Sequence, residues 1–130
     1  MTKIEVILIC DKIEGIQSVD GHMPAGKVNL IGLFDTIKAA GFPAVHNSVS
    51  VFVRLITDPG EHMEHYRVLN PDGGIVYTSA KRSLVGKGGK YQIAHILNKI
   101  PLDKEGEYSI EIYVDEKMAG SVKFFAEKDE

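Results

Sequence analysis

Tyr108-Ser109-Ile110-Glu111-Ile112-Tyr113-Val114 decides the fold class of this chain. Tyr108, Ile110, Ile112 and Val114 fall on one side, while Ser109, Glu111, Tyr113 and Asp115 fall on the other. A period of two belongs to a strand with one buried face. Asp115 to Gly120 turns the chain into Ser121–Ala126, where Val122, Phe124 and Ala126 share the inner side and Phe125 faces away. Upstream, Tyr91, Ile93, His95 and Leu97 alternate in the same way, and Pro101 to Glu107 connects that run to Tyr108. Three strands of this kind read as the closing half of a sandwich, since each apolar face needs another to cover it.

The rest of the chain extends the pattern. Residues 3–10 read as a first strand and residues 11–27 as a long irregular loop. Residues 27–40 fit either a helical stripe or a strand, and the strand is favoured over 28–36, with Gly32 as a bulge and a short helical turn at 36–40. Gly41-Phe42-Pro43 breaks any regular element. Val49, Val51, Val53 and Leu55 alternate through a strand at 48–56. Met63–Leu69 and Ile75–Thr78 form a hairpin around Asn70-Pro71-Asp72-Gly73-Gly74, in which Pro presets φ and Gly accepts positive φ. Residues 79–89 read as a second polar loop. The expected architecture is all-β: an immunoglobulin-like β-sandwich of about eight strands in two antiparallel sheets, with residues 1–130 as a single domain. Leu102, Gly106 and Tyr108 have the spacing of a tyrosine corner, in which a strand's first Tyr bonds back to the preceding loop. The Cys–Trp–Cys pattern of antibody domains is missing, for there is one Cys and no Trp.

Composition bounds the function. The chain has 130 residues, 44% apolar and 25% charged, with a formal net charge of −3. That balance gives no general attraction to phosphate backbones, so no nucleic-acid partner is expected. Lys81, Arg82, Lys87 and Lys90 cluster around glycines but lack the strand–loop–helix setting of a phosphate loop. Cys10 has no intrachain partner, and the apolar start is too short and too broken by Glu5 for a signal peptide or membrane span. A reducing, cytoplasmic setting without membrane attachment is the expectation.

Chemistry is sparse. His62-Met63-Glu64-His65 makes His62 and His65 the metal-binding candidates, but no third ligand is specified and a strand would point them apart. Asp11, Glu14 and Asp20 lack the alternation of a calcium loop. Asp11, Asn29, Tyr66 and Tyr77 are the candidates for a surface or ligand site, while Tyr108, Gly106, Leu102 and Gly32 are read as structural. No nucleophile with a base and no cofactor motif is present, so no catalytic residue and no cofactor is assigned.

Cys10-Asp11, Gly26-Lys27-Val28-Asn29-Leu30-Ile31-Gly32-Leu33-Phe34, Phe42-Pro43, Asn70-Pro71-Asp72-Gly73 and Gly106-Glu107-Tyr108 together resemble a family of small bacterial domains, domain of unknown function 6941. The resemblance implies a compact bacterial β-sandwich and carries no catalytic residue, cofactor or partner. The leading expectation is a non-enzymatic protein-interaction or structural module that binds a protein or itself. Alternatives are a small-ligand or carbohydrate-binding module using loops 11–27 and 79–89, and a metal-assisted hydrolase using His62 and His65.

Overall fold

A computed structural model describes residues 1–15, 28–84 and 88–129. Among the described residues there are ten strands and no helix: β1 (Lys3–Glu14), β2 (Asn29–Leu33), β3 (Thr36–Ala39), β4 (Ala44–Ile56), β5 (Met63–Leu69), β6 (Ile75–Thr78), β7 (Arg82–Ser83), β8 (Lys90–Leu102), β9 (Gly106–Val114) and β10 (Lys117–Lys128). They form a four-stranded sheet in the order β2-β1-β4-β8 and a six-stranded sheet in the order β3-β10-β9-β5-β6, with β7 on β5.

The inner faces follow from the alternation. Val49, Val51, Val53 and Leu55 of β4 pair across with Leu97, His95, Ile93 and Tyr91 of β8. They meet Tyr66, Val68, Tyr108, Ile110, Ile112 and Phe124 of the opposite sheet in one core. Non-directional burial of such faces is what holds two sheets together. Each buried Val, Ile or Leu contributes about 1.5–3 kcal/mol relative to exposure, before the entropy of ordering is subtracted.

Three expectations need correction. The strand count is ten, because β7 forms inside the expected loop 79–89 and residues 28–40 hold two strands. The helical turn at 36–40 is β3 instead: it pairs with β10, buries Ile37 and leaves Lys38 exposed. Sheet pairing overrides a weak helical preference, and Thr36 and Ile37 are β-branched, which favours the extended form. The sheets are also not both antiparallel, since β3 runs parallel to β10. Asp20, His22, Lys87 and most of loop 11–27 lie outside the described residues.

Phe34 and Asp35 carry the chain from one sheet to the other. Phe34 N–H donates to the Ile9 carbonyl at 3.5 Å, and Phe125 N–H donates to the Asp35 carbonyl at 2.7 Å. Just before this crossing, Gly32 has φ +71°, and a Cβ there would collide with the Asp11 carboxylate. The Asp11 carboxylate thus rests on the glycine backbone. Gly106 opens β9 at φ +137°, with a Cβ position 2.7 Å from Pro71 Cγ. Gly106→Ala is therefore expected to lose about 1–3 kcal/mol, read as a lower urea midpoint at unchanged slope.

Candidate functional site

The loop between β8 and β9 is tied by one side chain. The buried Tyr108 hydroxyl donates to the Lys104 carbonyl at 2.7 Å or to Asp103 Oδ1 at 2.9 Å, and accepts from Lys104 N–H at 3.2 Å. Asn70 Nδ2 donates to the other Asp103 oxygen at 2.9 Å, and Asn70 Oδ1 accepts from the N–H groups of Asp72 and Gly74. The hydrogen bonds from Asn70 and Tyr108 hold the Asp103 carboxyl below its ordinary pKa. Leu102, the last residue of β8 before this loop, is buried and pairs across with Ala44.

His62 and His65 do not converge. His62 precedes β5, with Nδ1 2.6 Å from Asp115 Oδ2 and Nε2 2.6 Å from the Asp58 carbonyl. Both neighbours only accept, so both ring nitrogens carry protons and neither offers a lone pair to a metal. The Asp115 hydrogen bond, and then the Asp58 carbonyl, raise the His62 pKa; the same bond lowers that of Asp115. His65 lies on the outer face of the six-stranded sheet, stacked on Tyr113 at a centroid distance of 4.9 Å. Burial lowers its pKa, helped by the positive charges of Arg67 and Lys81. Among the described residues no three His, Cys, Asp or Glu side chains gather around one point.

The His62 pair sets a pH dependence. Its raised folded pKa gives stability that is complete below about pH 6.5, the unfolded value, and is lost as pH rises through the folded one. The depressed Asp115 gives stability present above its unfolded value and lost as pH falls through its folded one. Wild type and His62→Gln should therefore differ most between roughly pH 4 and 6.5 and converge at higher pH. Urea midpoints across that range check this, and a constant difference up to pH 9 would contradict it.

Tyr66 is not a surface residue: it is fully buried between the sheets. Its place in the alternation with Glu64 and Val68 turns it inward, which corrects its assignment to a surface or ligand site. Tyr77 is half-buried against the core, opposite Val68. Asp11 and Asn29 are exposed on the β1–β2 hairpin, three pairs apart in register, with Asn29 opposite Glu14.

Inward-facing Glu64 belongs to an interior polar cluster that the sequence reading missed. Glu64 is 0% exposed, and its Oε1 lies 3.8 Å from His95 Nδ1. Arg82 Nη1 is 2.7 Å from the same nitrogen. A guanidinium only donates, so His95 Nδ1 accepts and its proton sits on Nε2. The Tyr66 ring packs on His95 at 4.7 Å. Burial pushes the Tyr66 hydroxyl well above its usual pKa, and the Glu64 charge adds to this. The signal was the period itself, which puts Glu64 in line with Tyr66 and Val68.

The outer face of the four-stranded sheet is apolar at its centre. Cross-strand pairing lines up Leu33, Cys10, Ser50 and Ile96 in one row, and Leu8, Phe52 and Ala94 in the next. Leu33, Ile96 and Leu8 are 60%, 55% and 38% exposed, while Phe52, Ala94, Cys10 and Ser50 are buried. Ile31, further along β2, is exposed as well. Polar groups frame the face: Arg54 Nε donates to Gln92 Oε1 at 2.9 Å, and Lys12 pairs with Glu14 at 3.2 Å. Burial raises the Cys10 pKa, so the thiol stays protonated and acts as a small apolar group. The outer face of the other sheet is polar, with Arg67 4.6 Å above the Tyr113 ring and Tyr113 donating to Glu111.

Among the described residues, no helix is long and apolar enough to cross a membrane. Among curated proteins none matches the sequence. The fold is similar to part of the Pseudomonas fluorescens alkylpurine DNA glycosylase AlkC bound to DNA containing an abasic site analog, with a TM-score of 0.59 and 12% identity. The match covers 97% of this chain and 30% of that one. This overturns the expectation that nucleic acid is excluded, because the fold occurs within a protein that was solved on DNA. A net charge sums over the whole surface and sets no limit on a local contact. A family model matches residues 5–127, and the chain belongs to that family, a family of unknown function designated DUF6941.

Proposed function

We propose that this protein is an immunoglobulin-like, non-enzymatic docking module that binds a protein partner through the outer face of its four-stranded sheet. The carrying observation is the row Leu33–Cys10–Ser50–Ile96 with Leu8 beside it: exposed aliphatic side chains around a buried centre, inside a polar frame. Contiguous exposed apolar area of this kind marks interaction surfaces, and an apolar centre with a polar rim is their usual anatomy. The Tyr108 loop tie and the strand that passes between sheets support the immunoglobulin-like assignment. The likeness to 30% of a larger chain fits a fold that serves as one part of an assembly.

The test uses Leu33→Asp combined with Ile96→Asp, both exposed enough to leave the core intact. Proteins captured by the wild type from its native host are identified, purified and titrated against both forms by calorimetry. A purified partner that binds wild type and loses at least about tenfold in affinity with the double variant supports the reading. Equal binding by both forms would refute it. The AlkC likeness favours a second reading, contact with DNA, which predicts salt-dependent binding to an abasic duplex in a mobility-shift assay.

A further inference from the structure

Among the described residues, the apolar outer face ends at a sheet edge that β2 flanks only in part. β2 accompanies β1 from Glu14 to Cys10, and then Phe34 and Asp35 leave for the other sheet. Backbone groups point alternately to the two sides of a strand. The Ile9 carbonyl accepts from Phe34 on the β2 side, so the N–H and C=O of Ile7 point to that side too. No described strand lies there beside Ile4–Leu8. On the facing sheet β3 joins β10 only from Phe125, so among the described residues no strand flanks the earlier part of β10 on that side. Between the two edges is a slot of about 410 Å³ lined by Leu8, Ile9, Leu33, Phe34, Asp35, Val122 and Lys123, the last paired with Glu107 at 3.1 Å. Ile4 closes one end against Gly120, where a Cβ would lie 2.9 Å from Ile4 Cγ1.

We propose that an extended segment of the protein partner adds to β1 as an antiparallel strand, in the position β2 gives up. This rests on the docking reading and names the form of the partner. Unpaired backbone donors and acceptors in a strand edge are complementary to another extended backbone. The β1 edge is favoured over that of β10 because it is continuous with the apolar face through Leu8 and Leu33. The β10 edge carries Lys117 and Lys123, and lysines guard an edge against pairing. The register shift between Ile4 and Val6 confines the added strand to a few residues. The residue opposite Ile7 turns its side chain into the slot, and its two neighbours turn theirs onto the outer face beside Val6 and Leu8. The segment is thus an uncharged, apolar run, of a size to fit the slot without a folded domain entering it.

A displayed library of random peptides of about seven residues, panned against the full chain, supplies the probe. Enriched peptides should share a central uncharged run. In a complex with the best of them, the Ile7 amide should exchange with solvent at least about tenfold more slowly than in the free protein. N-methylation of the peptide residue opposite Ile7 should weaken binding roughly fivefold to tenfold, the effect of one hydrogen bond. Leu8→Lys should weaken it further by placing a charge beside the strand. Failure to select such peptides, or an Ile7 amide that stays unprotected in the complex, would overturn strand addition. If a purified partner still depends on Leu33 and Ile96 while Ile7 stays unprotected, the docking face stands and only strand addition falls. If neither dependence is found, both readings fall.

Discussion

Glu64→Ala is expected to destabilise the protein by about 3–5 kcal/mol, the cost of removing one member of a buried charged cluster. The Glu64 side chain is 0% exposed, lies 3.8 Å from His95 Nδ1, and helps to raise the pKa of the buried Tyr66 hydroxyl. Its removal takes one polar member from the cluster that also holds His95 and Arg82 and opens a void between the sheets. Both effects act on the native state, and the void at Glu64 lies where water does not reach without opening the sandwich. Urea denaturation followed by far-ultraviolet circular dichroism measures the loss. Replacing Glu64, Arg82 and His95 together by apolar residues of similar volume should recover much of it, because a well-packed apolar cluster often matches or exceeds a buried charged one. A Glu64→Ala loss below about 1 kcal/mol would mean that the cluster is already well solvated.

Tyr108 carries the second large effect, and here two substitutions separate two causes. Tyr108→Phe keeps the ring, which stacks on Phe124 at 5.3 Å, and removes only the hydroxyl. It should cost about 1–3 kcal/mol, since the Lys104 carbonyl and amide lose a buried partner. Tyr108→Ala also empties the space of the ring and should cost about 3–5 kcal/mol. Amide exchange gives a local readout: in Tyr108→Phe the Lys104 N–H should lose protection before the amides of β5 do. Equal midpoints for wild type and Tyr108→Phe would show that the hydroxyl contributes nothing net.

Much of the fold was legible where one face is dry and the other wet. Val49 to Leu55 and Tyr108 to Val114 alternate because each strand has a core on one side only, so period and burial coincide. Thr36 to Ala39 was not legible. Its four residues are too few to show a period, and its partner is a strand about ninety positions away, which no local window contains. β7 is shorter still and exists because β5 offers an edge. The site was less visible than the fold. Glu64 reads as polar and His62-Met63-Glu64-His65 draws the eye as a metal motif, yet the pleat sends Glu64 inward, His65 outward and His62 to Asp115. Tyr66 shows the same limit, since an aromatic with a hydroxyl suits either a binding surface or a core. Leu8, Leu33 and Ile96 sit far apart in sequence and become one surface only through the pairing of β2, β1, β4 and β8.

The parallel pairing of β3 with β10 has a consequence for how the molecule is made. Synthesis yields β10 well after β3, so the six-stranded sheet cannot be completed until residues 125–128 have left the ribosome. Until then Ile37 has no core to enter, and the crossing at Asp35 lacks the amide of Phe125 that fastens it. Pairings this distant are reached slowly, because a long loop must close before any contact repays it. A nascent chain stalled short of β10 would therefore present both an unfilled sheet edge and an unburied isoleucine, which is the form of this protein most in need of a chaperone.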